Sequence, residues 1–371
     1  MEKLCYNFSM SILLFIIILL ALVFVHELGH FLVAKWTGCK VDEFAFGFPP
    51  RLFSKKVGET EYSLNAIPLG GYVSIYGENG EPDDAAKNNP RSFGNRPKYA
   101  QLLVLFAGVA MNMIFAWSLF VFTSYGNVQV SASDELYANR ATDKKVIVLD
   151  AYKDSPAERA GITTGTVILN LQSGKVKIVP KSAEDVVNFI ESHINESIKI
   201  TFKKINGKID DPIITGVYGI APEKKAIGVS LDTIGTINTS FKEAIVLGSQ
   251  RLVYLTEMTL NGLKTLVVSI GHGENVIKSL SGPVGIAKMV GQTENFGYVA
   301  LLNFTALLSI NLAVFNALPL PALDGGRFIV VILETITRRR FSMKWLNIIN
   351  GVSFALLILL LVLVTIKDIH G

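Results

Sequence analysis

Cysteine is almost absent: Cys5 and Cys39 are the chain's only two in 371 residues. No disulfide framework of the kind that staples small secreted domains is implied. Internal repeats and low-complexity tracts are absent too, which weighs against a transporter built from repeated halves. Charge is missing from four long stretches: Phe8–Val25, Gln101–Phe122, Val299–Leu323 and Ile348–Ile366. Segments of about 20 apolar residues are long enough to cross a bilayer. A small-residue cleavage site after the first run is also lacking, and the run continues into "HELGH". It is therefore a retained helix rather than a signal peptide.

What is present begins with the placement of Lys and Arg. Lys35 and Lys40 follow the first run, Arg91, Arg96 and Lys98 precede the second, and Arg327, Arg338, Arg339, Arg340 and Lys344 follow the third. The positive-inside rule puts 33–99 and 325–346 in the cytoplasm, with both termini and the loop 124–298 outside. Cys5 and Cys39 then lie on opposite sides of the membrane. "ETEYSLNAIPLGGYVSIYGE" (Glu59–Glu78) reads as a hairpin, and the polar, breaker-rich stretch 79–97 as a loop. In the external loop, Lys145–Leu171 gives a strand, a short helix from Ser155-Pro156, a turn and a strand. Ser182–Ile194 is an amphipathic helix capped by Ser182, and "SIKITFKKI" a further strand. Together they make a small α/β module. Phe241–Val268 has helical apolar spacing interrupted by charge and reads as a helix in the outer interface.

Histidine is scarce as well, at five residues, and two of them fall in His26-Glu27-Leu28-Gly29-His30. In this HExxH pattern positions i and i+4 share a helix face, so both imidazoles can bind one metal. Glu27 then stands beside the metal to take a proton from water. Zn²⁺ lowers that water's pKa to about 7 and polarises a carbonyl. Ionisable groups inside a membrane helix are costly and point to function. A catalytic zinc needs a third protein ligand, and Asp324 of "NALPLPALDGGR" stands at the inner end of the third span, as His26 does in the first. The bland alternative for Asp324 is a helix cap or loop carboxylate. Pro319 and Pro321 unwind the chain there, which is tolerated at membrane depth only in a buried or watery place. Asn112, Asn311 and Asn316 either bond between helices or handle substrate.

At these residues the chain resembles the site-2 protease (M50) family, and specifically its bacterial regulator-of-sigma-E type, an intramembrane zinc metalloprotease. "HELGHF", "GFPPRLFSKKVGETEYSLNAIPLGGYV", "NNPRSFGNRPKYAQLLVLFAGVAMN", "SGPVGIAKMV" and "LPLPALDGGR" look like the family's segments in its order. The resemblance implies a multi-pass α-helical membrane protein with four transmembrane helices, a membrane-associated β-hairpin and one inserted extracytoplasmic PDZ (α/β) domain. Its parts would be residues 1–36, the first helix with HExxH; 37–98, the cytoplasmic-side segment with the hairpin at about 57–78; and 99–123, the second helix. The PDZ domain would be 127–232, the interfacial helix 238–270, a connecting segment 271–297, the third segment with the LDG step 298–326 and the fourth helix 347–367.

Zinc would be held by His26, His30 and Asp324, with Glu27 catalytic. Asn112, Asn311, Asn316, Pro319, Pro321, Gly70 and Gly71 would handle substrate, which pairs with the hairpin as an added strand. The implied partners are single-span membrane proteins, of anti-sigma-factor type or signal-peptide remnants, cut first outside by a site-1-type protease. The lipid bilayer of a bacterial inner membrane is the other partner; no nucleic acid is implied. Val109 stands where the family has Pro, and Thr166 where its PDZ domain commonly has Asp, with no clear carboxylate-binding loop. That favours a PDZ domain that excludes bulky substrates by size. A zinc-binding but silent scaffold is the rival reading, and the intact Glu27 argues against it.

Overall fold

The computed structural model describes residues 2–78, 89–133, 137–193, 196–205, 207–215, 217–221, 224–273, 280–294 and 296–370. The chain forms two compact units: residues 1–122, 247–293 and 299–371 make the first, and 123–246 with 294–298 the second.

In chain order it runs α1 (Glu2–Trp36), β1 (Val41–Val57), β2 (Thr60–Ile75) and α2 (Lys98–Thr123). Next come β3 (Gly126–Ser131), β4 (Thr142–Ala151), α3 (Pro156–Arg159), β5 (Val167–Ser173), β6 (Val176–Ile178) and α4 (Ala183–Ser192). Then follow β7 (Ile198–Lys203), β8 (Ile209–Asp210), β9 (Ile213–Ile214), β10 (Val217–Ala221), β11 (Lys224–Ala226) and β12 (Val229–Thr239). The last elements are α5 (Phe241–Gly271), α6 (Pro283–Glu294), α7 (Tyr298–Ala317), α8 (Asp324–Thr337) and α9 (Met343–His370).

Among the described residues, four helices are long and apolar enough to cross a membrane: Ser11–Trp36 of α1, all of α2 and α7, and Lys344–His370 of α9. The third is shorter than the apolar pattern suggests. It stops at Ala317, ahead of Pro319 and Pro321, where the sequence already indicates unwinding, and Asp324 opens a separate helix. Pro319 and Pro321 lack the N–H groups a continuing helix needs. The break folds back tightly: a Cβ on Gly325 would collide with the carbonyls of Ala317 and Leu318, and one on Gly326 with that of Leu320.

The hairpin is longer than the span 57–78 expected from the sequence, because its first strand begins at Val41. Pro49-Pro50 and the pair Lys55-Lys56 hide that strand's alternation. Residues 43–46 have partners on two sides, Gly71–Ser74 on one and Glu61–Leu64 on the other, while 51–57 pairs with 60–65. The two long strands thus fold over into four short segments. Among the described residues, no strand pairs with the outer side of 71–75.

Aromatic side chains seat this sheet on α1. Phe24 meets Phe44 at 5.7 Å between ring centroids, and Phe31 meets Phe44 at 5.2 Å and Tyr62 at 6.0 Å. Ala34, Val41, Ile75, Phe93, Val104 and Val331 fill the core between these elements, and Cys39 is buried in it. Such burial contributes roughly 25 cal/mol per Å² of apolar surface. Within the same unit, α5 is held by Trp117 Nε1 donating to Ser249 Oγ at 2.9 Å and Thr259 Oγ1 donating to Asn311 Oδ1 at 2.9 Å. α9 is tied near both ends. Asn350 Oδ1 accepts from the Ala322 N–H at 3.2 Å, and Asp368 Oδ2 accepts from the Gly282 and Gly285 N–H groups, each at 2.8 Å.

The second unit is an antiparallel sheet in the order β3-β12-β4-β5-β7-β8, with β6 on β5 and β9 on β7. Ser155 caps α3, and Ser182 with Asp185 makes a capping box for α4, satisfying N–H groups the first turn leaves open. Val148, Ile162, Leu171, Val186, Ile200 and Phe202 are among its fully buried core residues. Ile194, where the sequence pattern ends this helix, and residues 79–88 of the polar loop lie outside the described residues.

Candidate metal centre

His26 and His30 project from one face of α1, and Asp324 meets them from the first turn of α8. Asp324 Oδ2 lies 2.9 Å from His26 Nε2 and 3.2 Å from His30 Nε2, and the two imidazole nitrogens are 3.2 Å apart. His26 is 7% exposed and His30 8%, so both imidazoles sit out of bulk water, while Asp324 is half-buried. These residues fit a zinc ion. Donors at about 2.0–2.2 Å from one tetrahedral ion stand about 3.3–3.5 Å apart, within a few tenths of an ångström of what is found. Two His and one carboxylate leave a fourth position open, as catalytic zinc sites do.

α2 backs this cluster with one face. Val104 O accepts the Nδ1–H of His30 at 2.8 Å, which leaves Nε2 of that ring with its lone pair turned to the cluster. Four residues on, a Cβ at Gly108 would stand 2.6 Å from His26 Cε1 and 2.8 Å from His26 Nε2, and closer still to His30 Nε2. Only glycine leaves room for both rings. Four further on, the fully buried Asn112 sets its side-chain amide 3.2 Å from His26 Nδ1. α1 answers with Gly29, where a Cβ would come within 2.5 Å of Ala107 O.

Asp324 is positioned from both sides of the break. Ala322, two residues earlier, has φ +71°, a left-handed conformation costing an L-residue about 1–2 kcal/mol, and Asn350 of α9 holds its N–H. One turn after Asp324, Arg327 donates to the Glu78 carboxylate and, at 2.6 Å, to the Glu78 carbonyl. That pair fastens the start of α8 to the exit of the hairpin. Beside it lies a cavity of about 400 Å³, lined by Glu78, Phe93, Lys98, Pro319, Pro321 and Arg327 among others.

Glu27 follows His26 and shares its helix face with Phe24 and Phe31, the residues that carry the hairpin. A Cβ on Gly71 would meet Glu27 Cγ at 3.7 Å and Ala45 O at 2.8 Å, so the Glu27 side chain packs against Gly71 of the hairpin. The sequence-derived set divides accordingly. His26, Glu27, His30, Asp324, Asn112 and Gly71 are brought together. Pro319 and Pro321 border the cavity, Gly70 packs against the Phe48 ring, Asn316 is half-buried, and Asn311 bonds Thr259 of α5.

Comparison with known proteins agrees with this chemistry. The sequence profile of Peptidase family M50 matches residues 14–360. The chain belongs to family M50. It is 35% identical over 350 residues to a Clostridium perfringens protein named as a zinc metalloprotease, covering 94% of this chain and 95% of that one. A Clostridium acetobutylicum protein of the same description is 33% identical over 368 residues, covering 98% and 97%. The regulator of sigma-W protease RasP of Bacillus subtilis is 27% identical over 446 residues, covering 98% and 99%. The M50 protein is thus an integral membrane zinc metalloprotease of the site-2 type.

Proposed function

We propose that this M50 protease is an intramembrane endopeptidase that cuts single-span membrane proteins after a first external cleavage. Anti-sigma-factor-type proteins, suggested by the name of the RasP relative, and signal-peptide remnants are its substrate classes. His26, His30 and Asp324 hold the zinc, which when bound supplies a Lewis acid that acidifies water and polarises a carbonyl. Glu27 takes the proton from the attacking water and then hands it to the leaving amine. A transmembrane helix hides its carbonyls in its own hydrogen bonds, so the substrate unwinds and adds as a strand beside residues 71–75. The single observation carrying this reading is that Glu27, next to His26 of the His26/His30/Asp324 cluster, packs its Cγ against Gly71 of the hairpin.

The second unit is read as a PDZ domain outside the cytoplasm that filters substrates by size, and the termini are placed on the same side by the Lys and Arg distribution. Asn311, Asn316, Pro319, Pro321 and Gly70 are assigned to substrate handling along the α7–α8 break and the hairpin. Purified wild type and Glu27→Gln, in detergent, are to be compared for zinc content and for cleavage of a tagged single-span substrate. Wild type cuts, a chelator stops it, and the variant keeps zinc while losing about 10²–10⁴-fold in rate. If both hold zinc and neither cuts several such substrates, the scaffold reading replaces this one.

A further inference from the structure

The face of α2 that backs the metal centre treats the two histidines differently. His30 Nδ1 meets a backbone carbonyl, that of Val104, which can only accept. The ring is therefore held with hydrogen on Nδ1 and its Nε2 free to ligate. His26 Nδ1 meets a side-chain amide, that of Asn112. An amide has a donating and an accepting end of nearly equal size, so this partner can serve either tautomer of the ring.

With the Nδ2 end toward the ring, the amide donates to Nδ1, and the imidazole hydrogen sits on Nε2, aimed at Asp324 Oδ2 at 2.9 Å. That tautomer has no lone pair for a metal at Nε2. With the amide turned over, its oxygen accepts from Nδ1–H and Nε2 is free. Nothing opposes the turn, because Asn112 Oδ1 is buried with no hydrogen-bond partner among the described residues. The amide is fully buried at 0% exposure, so water does not substitute for it. Its helix position is also firm: Ser309 Oγ of α7 donates to the Asn112 carbonyl at 2.8 Å.

We propose that Asn112 is a positioning residue for His26, presenting its amide oxygen to Nδ1–H so that Nε2 is the metal-binding nitrogen. Val104, Gly108 and Asn112, spaced four apart on α2, then form one supporting surface: a carbonyl for His30, room for both rings, and an amide for His26. This moves Asn112 from the substrate-handling group to the metal site. It rests on the assignment of His26, His30 and Asp324 as the zinc ligands.

The test uses the full chain in detergent, with zinc affinity measured by competition with a chelator. Alongside it are measured the thermal midpoint of the metal-free protein and the KM for a single-span substrate. Asn112→Leu, close in volume but without an acceptor, weakens zinc binding by about 10–100-fold, the usual cost of losing such a partner, and leaves KM unchanged. Asn112→Asp, which keeps an oxygen toward Nδ1–H, stays within a few-fold of wild type in zinc affinity. If the leucine variant does not fold, Asn112→Ala carries the same expectation against Asn112→Asp. Wild-type zinc affinity in the folded variant lacking the acceptor, or equal loss with Asp and with the apolar residue, overturns the proposal. A raised KM at unchanged zinc affinity overturns it in favour of substrate contact. His26→Ala is the control: if it binds zinc as wild type does, the ligand assignment itself falls, whatever Asn112 does.

Discussion

Gly108 of α2 stands so near His26 of α1 that a methyl group on the glycine would lie 2.6 Å from the ring's Cε1. Backbone and rings cannot both yield, because Gly29 already brings α1 against the Ala107 carbonyl. Gly108→Ala is expected to push the imidazoles out of register with Asp324. The protein still inserts, but zinc content after purification falls at least tenfold and cleavage is lost with it. Metal analysis beside a secondary-structure spectrum separates this from general misfolding.

Glu78 and Arg327 join the hairpin exit to α8, with side chains 15% and 27% exposed. Burial pushes the Glu78 carboxyl up, with the Arg327 charge opposing. Arginine cannot shed its charge, whereas a buried carboxyl can take a proton. Glu78→Leu still leaves Arg327 the Glu78 carbonyl as acceptor, so its cost is about 1.5–3 kcal/mol, that of one charge-assisted hydrogen bond. The thermal midpoint of Glu78→Leu should fall accordingly; an unchanged midpoint would show that the carboxylate adds nothing to the carbonyl contact.

Glu59 gives a pH dependence with a defined sign. Arg91 and Lys35 together hold its carboxyl down at about 2, from an ordinary value of 4.5, through contacts of 2.6–2.7 Å. A depressed carboxylate contributes stability that is complete above its unfolded value and is lost as pH falls toward its folded one. Between about pH 4.5 and 2 the wild type should lose this increment, on the order of 1 kcal/mol or less for so exposed a cluster. Glu59→Gln should show a flatter acid limb in thermal midpoint against pH.

Asp368 caps α6 from the far end of α9, accepting two backbone N–H groups at 2.8 Å. Asp368→Leu leaves both donors without their partner and is expected to cost about 1–2 kcal/mol. Zinc content should stay at the wild-type level, since neither helix end touches the donor cluster. A drop in metal content equal to that of Gly108→Ala would show the two ends of the bundle to be coupled.

How much of this was legible beforehand depends on how far each signal reaches along the chain. His26 and His30 are four residues apart, a spacing visible in any helix, and "LDGGR" marks Asp324 by its breakers. Gly108 is not marked in the sequence, because a glycine in an apolar run carries no sign of what it faces. The Arg327–Glu78 pair spans 249 residues, and no local pattern connects them. The start of the hairpin at Val41 was obscured by Pro49-Pro50, which interrupts the alternation a strand shows. Asn112 stands out as polar in an apolar helix, but its partner on α1 is set only by the packing of the two helices side by side.

The distance between His26 and Asp324 along the chain, 298 residues, also sets a schedule. At about 5–20 residues per second of synthesis, roughly 15–60 s separate the making of His26 from that of Asp324. Through that interval the nascent chain carries HExxH in the bilayer without its carboxylate partner. A chain interrupted before α8 therefore lacks the third member of the His26/His30/Asp324 cluster.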